Sequence, residues 1–176
     1  MRFGWARVAV IGLMLGVVAC KGAPETADEA AKQSAAEADS FLRSNAKQDG
    51  VVTLPSGLQY KVVASGPSGA KSPDSNDLVR VDYEGSLTDG SIFDSSFQNG
   101  SPVVFTPEAV VPGWNEALQR MKVGDEWLLY LPPALGYGVE GRPPAIPGNS
   151  VLVFRLKLLD VAAVPGGSVG VGAAQG

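Results

Sequence analysis

The spacing of apolar residues changes along the chain, and each change predicts a different element. Val79, Val81, Tyr83, Gly85 and Leu87 alternate with Arg80, Asp82, Glu84 and Ser86, the two-residue period of a strand with one buried face. The same period recurs over residues 58–64, over 126–131 with Trp127, Leu129 and Leu131 in phase, and over 151–159 with Leu152, Phe154, Leu156 and Leu158 in phase. Four or five such strands predict an antiparallel sheet. One good helix is predicted over residues 112–121, with Pro112 in its first turn, Trp114, Leu118 and Met121 on one stripe, and Gly124 as a stop. A single short helix against a single sheet makes an α+β roll.

The remaining segments lack either period. Residues 8–18 are an unbroken apolar run behind Arg2 and Arg7, followed by Ala19 and the only cysteine, Cys20. Such a run is too short to span a bilayer and reads as an export signal. A cysteine directly after it resembles the bacterial lipoprotein signal, in which the thiol is acylated, with palmitate among the chains carried, and becomes the mature N-terminus. Lys21 in the next position then implies the outer membrane; the alternatives are an ordinary secretory signal or a short hydrophobic anchor. Residues 21–50 are mainly Ala, Glu, Asp, Lys, Gln and Ser, with Phe41 and Leu42 the only large apolar residues, and predict a polar tether that turns helical over 28–45. Residues 132–148 hold five Pro and four Gly, a stiffened loop. Beyond Asp160 the Gly, Ala and Val tail has nothing to pack and is expected to be disordered. The expected division is thus signal 1–19, tether 20–50, folded domain 51–160 and tail 161–176.

Composition removes whole classes of chemistry. The chain of 176 residues has no histidine, which excludes Ser-His-Asp and Cys-His catalysis and every His-ligated metal or haem. One cysteine excludes an internal disulfide or a Cys-x-x-Cys site. A net charge of -4, without any densely basic window, argues against nucleic-acid binding. No metal and no cofactor are expected. Gly136, Gly138 and Gly141 have dinucleotide-loop spacing, but prolines flank them where a strand and a helix would be needed. Asp89-Gly90 reads as a hairpin turn, and Ser95 and Ser96 lack a base.

What survives is aromatic. Tyr83, Phe93, Phe105, Trp114, Tyr137 and Phe154 fall among the strands, the helix and the stiff loop. Such a set is ordinarily hydrophobic core. In this chain Trp114 sits at the helix start beside Pro112-Gly113, Tyr137 lies in a Gly/Pro loop, and Asp94 directly follows Phe93. An aromatic cup with one acid and one phenol suits an apolar ligand that carries a carbonyl.

The runs LPSGLQY (54–60), VDYEGSLTDGSIFDSS (81–96), VVPGWNEAL (110–118), LGYGVEG (135–141) and VLVFRLKLL (151–159) resemble FKBP-type peptidyl-prolyl isomerases, and residues 41–60 resemble the macrophage infectivity potentiator branch. The resemblance implies an antiparallel half-barrel sheet wrapped on one short helix. It implies Trp114 as pocket floor, Tyr83, Phe93, Phe105 and Phe154 as walls, and Val110 and Val111 as rim, with the Val111 N–H donating to a substrate carbonyl. It further implies Asp94 held near Tyr83 facing the twisting amide, the Tyr137 hydroxyl bonding a peptide carbonyl, and Ile146 closing the loop side. Arg142 and Val111 stand where the family often has His and Ile. The implied activity is rotation of Xaa-Pro bonds in unfolded or partly folded envelope proteins, with a rapamycin-class macrolide as a possible ligand. The segment before the domain is short and poor in Met and Leu, so a monomer or weak dimer is expected. The alternative is a chaperone-like module that grips unfolded segments without turnover.

Overall fold

The computed structural model describes residues 27–165 of the chain. The expected signal over 1–19, Cys20 and residues 166–176 of the expected tail lie outside the described residues. In chain order the elements are α1 (Ala27–Asn45), β1 (Val51–Thr53), β2 (Gln59–Ala64), β3 (Leu78–Leu87), β4 (Ile92–Ser95), α2 (Ser96–Asn99), β5 (Val103–Phe105), α3 (Pro112–Leu118), β6 (Glu126–Leu131) and β7 (Leu152–Ala162).

The strands form one antiparallel sheet in the order β1-β2-β6-β7-β3-β4, with β5 pairing separately along β3. This is the α+β class that the alternation predicts, with three further strands. β1, β4 and β5 span only three or four residues, too few periods to register in a sequence. Along the inner face Val79, Val81, Leu129, Leu131, Leu156 and Leu158 are fully buried against Ala117, Leu118 and Met121. α3 ends at Leu118, before the expected Met121. The Met121 N–H is shared between Ala117 O at 3.1 Å and Leu118 O at 3.2 Å, the tightening that closes a last turn, and its side chain still enters the core.

One boundary differs from expectation, and one segment expected as a solvated tether packs on the domain, each for a physical reason. β7 runs on to Ala162, Val161 is buried, and the Val164 N–H donates to Asp77 Oδ1 at 3.0 Å. The segment expected as an unpacked tail from 161 therefore begins inside the sheet. At the other end, α1 covers the expected helical stretch and lies against the domain through few apolar groups: Ala38 is buried and Phe41 packs on Tyr130 with ring centroids 6.2 Å apart. Polar bonds supply the rest. The Asn45 amide donates to Gln59 Oε1 at 2.9 Å, the Gln59 amide donates to Leu42 O at 2.9 Å, and Asn149 Nδ2 donates to Ala31 O at 3.1 Å. Hydropathy cannot register such an interface, because its anchors are amides.

Candidate functional site

α3 places Trp114 in the core, against side chains from the sheet. The ring is 4% exposed, and three aromatic side chains meet it. Tyr83 from β3 stands edge-on at 5.1 Å and 83°, Phe154 from β7 at 5.0 Å and 81°, and Phe105 from β5 tilts at 5.5 Å and 52°. Phe93 reaches the group through Phe154, at 5.6 Å and 87°. Edge-to-face contacts of this kind hold rings at fixed angles instead of letting them collapse into stacks. They leave a cavity of about 300 Å³ lined by Tyr83, Phe93, Asp94, Phe105, Ala109, Val110, Val111, Trp114, Tyr137 and Phe154.

Successive residues of a regular strand face opposite sides, yet Phe93 and Asp94 both line this cavity. A bulge allows it: Gly85 pairs with Asp94 and Ser86 with Ile92, so Phe93 is the extra residue of β4. Gly85 is required at the same point, since a Cβ there would stand 2.6 Å from Phe154 Cε1 and 2.7 Å from Phe93 Cε2. Behind the bulge, the buried Ser96 Oγ accepts the Tyr83 N–H at 2.9 Å and donates to Asp82 Oδ1 at 2.9 Å. Ser95 Oγ accepts the Gln98 N–H at 3.4 Å at the start of α2. Both serines are framework, in keeping with their lack of a base.

At the cavity edge the Tyr83 hydroxyl donates to Asp94 Oδ2 at 2.6 Å. Burial, and after it this bond to Asp94, pushes the Tyr83 phenol well above its ordinary range, so it stays a protonated donor at neutral pH. The Val111 N–H has no intramolecular acceptor among the described residues and sits where α3 begins. Tyr137, half-buried, follows a 3-10 turn over Pro133–Leu135 and carries the Arg142 guanidinium 6.0 Å above its ring. Ile146 is buried and lines a second cavity of about 410 Å³ that shares Phe93, Asp94 and Tyr137 with the first and adds Arg142. Ten of the residues singled out in the sequence thus converge: nine line the first cavity and Ile146 the adjoining one. Cys20 lies outside the described residues. Sequence reasoning missed Ala109 and the need for Gly85; a glycine in mid-strand was the available signal for the latter. No group of metal-ligating side chains occurs among the described residues.

A family model for FKBP-type peptidyl-prolyl cis-trans isomerases matches residues 69–159, and one for the domain amino-terminal to such isomerases matches residues 18–62. Peptidyl-prolyl cis-trans isomerase Mip of Coxiella burnetii is 45% identical over 128 residues, 73% of this chain and 55% of that protein. Outer membrane protein MIP of Legionella longbeachae is 43% identical over 131 residues, 74% of this chain and 55% of that one. The crystal structure of FkpA from Escherichia coli superposes with a TM-score of 0.73 at 40% identity, covering 78% of this chain and 63% of that chain. The chain spans about half the length of the curated relatives it matches.

Proposed function

This chain belongs to the FKBP-type peptidyl-prolyl cis-trans isomerases, and we propose on that footing that its aromatic cavity rotates Xaa-Pro bonds in unfolded or partly folded envelope proteins. The observation that carries the reading is the Tyr83–Asp94 bond of 2.6 Å at the edge of a cavity floored by Trp114.

Rotation about an Xaa-Pro amide faces a barrier of about 18 to 20 kcal/mol, because twisting breaks the resonance between nitrogen and carbonyl. The planar amide is the more polar form, so a dry aromatic cavity disfavours it relative to the twisted state. The proline ring lies on Trp114 between Tyr83, Phe105 and Phe154. The Val111 N–H, which lacks an internal acceptor, holds a carbonyl on one side of the bond, and the Tyr137 hydroxyl holds another. Asp94, fixed by the Tyr83 hydroxyl, faces the twisting amide, and Ile146 closes the loop side. A 10⁵-fold acceleration needs about 7 kcal/mol of differential binding, within the reach of orientation, desolvation and two or three hydrogen bonds. No nucleophile, metal or proton carrier is called for.

The same reading extends to the ends of the chain. Residues 1–19 serve as an export signal, and acylated Cys20 anchors the domain in the bacterial envelope, on the periplasmic face of the outer membrane. The relative named Outer membrane protein MIP supports envelope placement. Residues 20–50 link the anchor to a catalytic unit of 51–160, with the protein a monomer or weak dimer. The test is isomerisation of short Xaa-Pro peptides, with and without a rapamycin-class macrolide. Turnover that the macrolide abolishes is expected. Binding of unfolded protein without turnover would favour the chaperone-like module instead.

A further inference from the structure

The turn that carries Tyr137 is strapped from behind by residues 146–149. Arg142 and Ile146 exchange backbone hydrogen bonds of 2.7 and 3.0 Å, and the Asn149 N–H donates to Gly138 O at 2.9 Å. The two stretches touch with no room between them. A Cβ on Gly148 would stand 2.0 Å from Val139 O, and one on Gly141 would stand 2.4 Å from Ile146 O. Packing this close makes the turn and the strap move as one body.

The other side of the strap meets α1. Asn149 is 9% exposed, and its Nδ2 donates to Ala31 O of α1 at 3.1 Å. It is the single non-glycine residue with positive φ among the described residues, at 59°. Glycine would adopt that left-handed backbone more readily. The side chain placed there instead is one that tolerates the conformation and also carries a donor. Beside this bond, a cavity of about 350 Å³ is lined by Ser34, Glu37, Ala38 and Phe41 of α1 together with Pro147, Gly148 and Asn149 of the strap. The amide is therefore a discrete link across a loosely filled junction.

We infer that Asn149 is a positioning residue that couples the docking of α1 to the placement of Tyr137, through Ala31 O on one side and Gly138 O on the other. Its consequence for turnover rests on the proposed isomerase activity; its consequence for the turn does not.

The test uses the full chain carrying Asn149→Gly, which keeps the left-handed backbone and the bond to Gly138 O but loses the link to Ala31. Ala38→Glu, which puts a carboxylate under α1, and the double variant complete a cycle. The readouts are kcat/KM on a short Xaa-Pro peptide, hydrogen exchange at amides 137–141, and Tm. Asn149→Gly is expected to lower kcat/KM by about two- to tenfold and to speed exchange in the turn, with Tm nearly unchanged. Ala38→Glu should likewise lower kcat/KM and speed exchange in the turn, with a lower Tm because it buries a charge, and in turnover and exchange the double variant should be no worse than the worse single. Asn149→Asp, left-handed by preference but without the donor, should loosen the turn at least as far. Wild-type exchange in Asn149→Gly or Asn149→Asp, or effects that multiply in the double variant, would overturn the coupling. If the wild type turned over no peptide, the isomerase reading would fail while the exchange data still decided the link.

Discussion

Asp94 and Trp114 lie on the same cavity, yet substitution should separate turnover from stability at the first and not at the second. Asp94 is exposed and its hydrogen-bond partner is the Tyr83 hydroxyl, so Asp94→Val removes the polar group that the proposed function sets against the amide while leaving the packing of Phe93 on Phe154 intact. Turnover should fall by at least tenfold, with stability changed by no more than about 0.5 kcal/mol, the usual range for surface substitutions. Paired isomerisation and melting measurements check this, and a large stability loss would make Asp94 structural. Trp114→Ala should damage both properties, since deleting a buried aromatic ring costs about 3 to 5 kcal/mol. Gly85→Ala is the sharper test of geometry. The added methyl meets Phe154 and Phe93 at 2.6 and 2.7 Å and should force one ring into the cavity. A cost of about 1 to 3 kcal/mol is expected, together with a raised KM for peptide, read from kinetics and thermal melts. Trp114 and Tyr137 were legible in the sequence because each pairs a large ring with an atypical context, a helix start or a Gly/Pro loop, whereas Tyr83, Phe93, Phe105 and Phe154 read as ordinary core until the family resemblance gave them a place. The bulge that turns Phe93 and Asp94 to the same cavity was not legible, since it depends on the register of β3 against β4.

Among the elements, those with long periods were the readable ones. β3 and β7 span 10 and 11 residues, and alternation over such lengths leaves little ambiguity, whereas β1 at three residues offers none to count. The docking of α1 was hidden for a different reason: apart from Ala38 and Phe41, its contacts are hydrogen bonds of the Asn45, Gln59 and Asn149 amides, and isolated polar residues look like solvated surface. The turn between α3 and β6 shows how much one such residue can hold. Asp125, 4% exposed, accepts the Gly66 N–H at 2.8 Å, the Lys122 N–H at 3.0 Å and the Lys122 ammonium at 3.0 Å. Burial alone would raise its pKa, but these hydrogen bonds outweigh burial and hold the carboxyl below its ordinary 3.8. A folded-state value below the unfolded one stabilises the protein above the unfolded pKa, and that stabilisation is lost as pH falls through the folded value. Asp125→Asn should therefore be less stable than wild type at pH 6 by about 1 to 3 kcal/mol. The gap should narrow as the pH drops from 4 toward 2, as followed by denaturant unfolding across that range. A gap independent of pH would mean that the charge on Asp125 contributes nothing.

For the whole molecule, the proposed function assigns anchoring and catalysis to separate segments, which makes them separable by mutation. Cys20→Ser should leave the domain folded and active on short peptides while abolishing detergent-phase partitioning, and equal partitioning of both forms would remove the lipid anchor. The catalytic half of that division makes its own demand on pH. A mechanism built on a general acid or base working near neutrality produces a sloped or bell-shaped rate profile. This chain has no histidine, the side chain whose ordinary pKa falls in that range. Burial, followed by the bond to Asp94, pushes the Tyr83 phenol up, which carries its deprotonation further from neutrality and keeps it a donor throughout. Twisting an amide in a dry aromatic cavity moves no proton at all. The kcat/KM for a peptide without titrating groups should therefore vary by less than about twofold between pH 6 and 8.5. Tyr83→Phe, which removes the donor to Asp94, should lower the level of that profile without tilting it. A tenfold slope in the wild type that disappeared in Asp94→Asn would place proton transfer at Asp94 and overturn catalysis by desolvation.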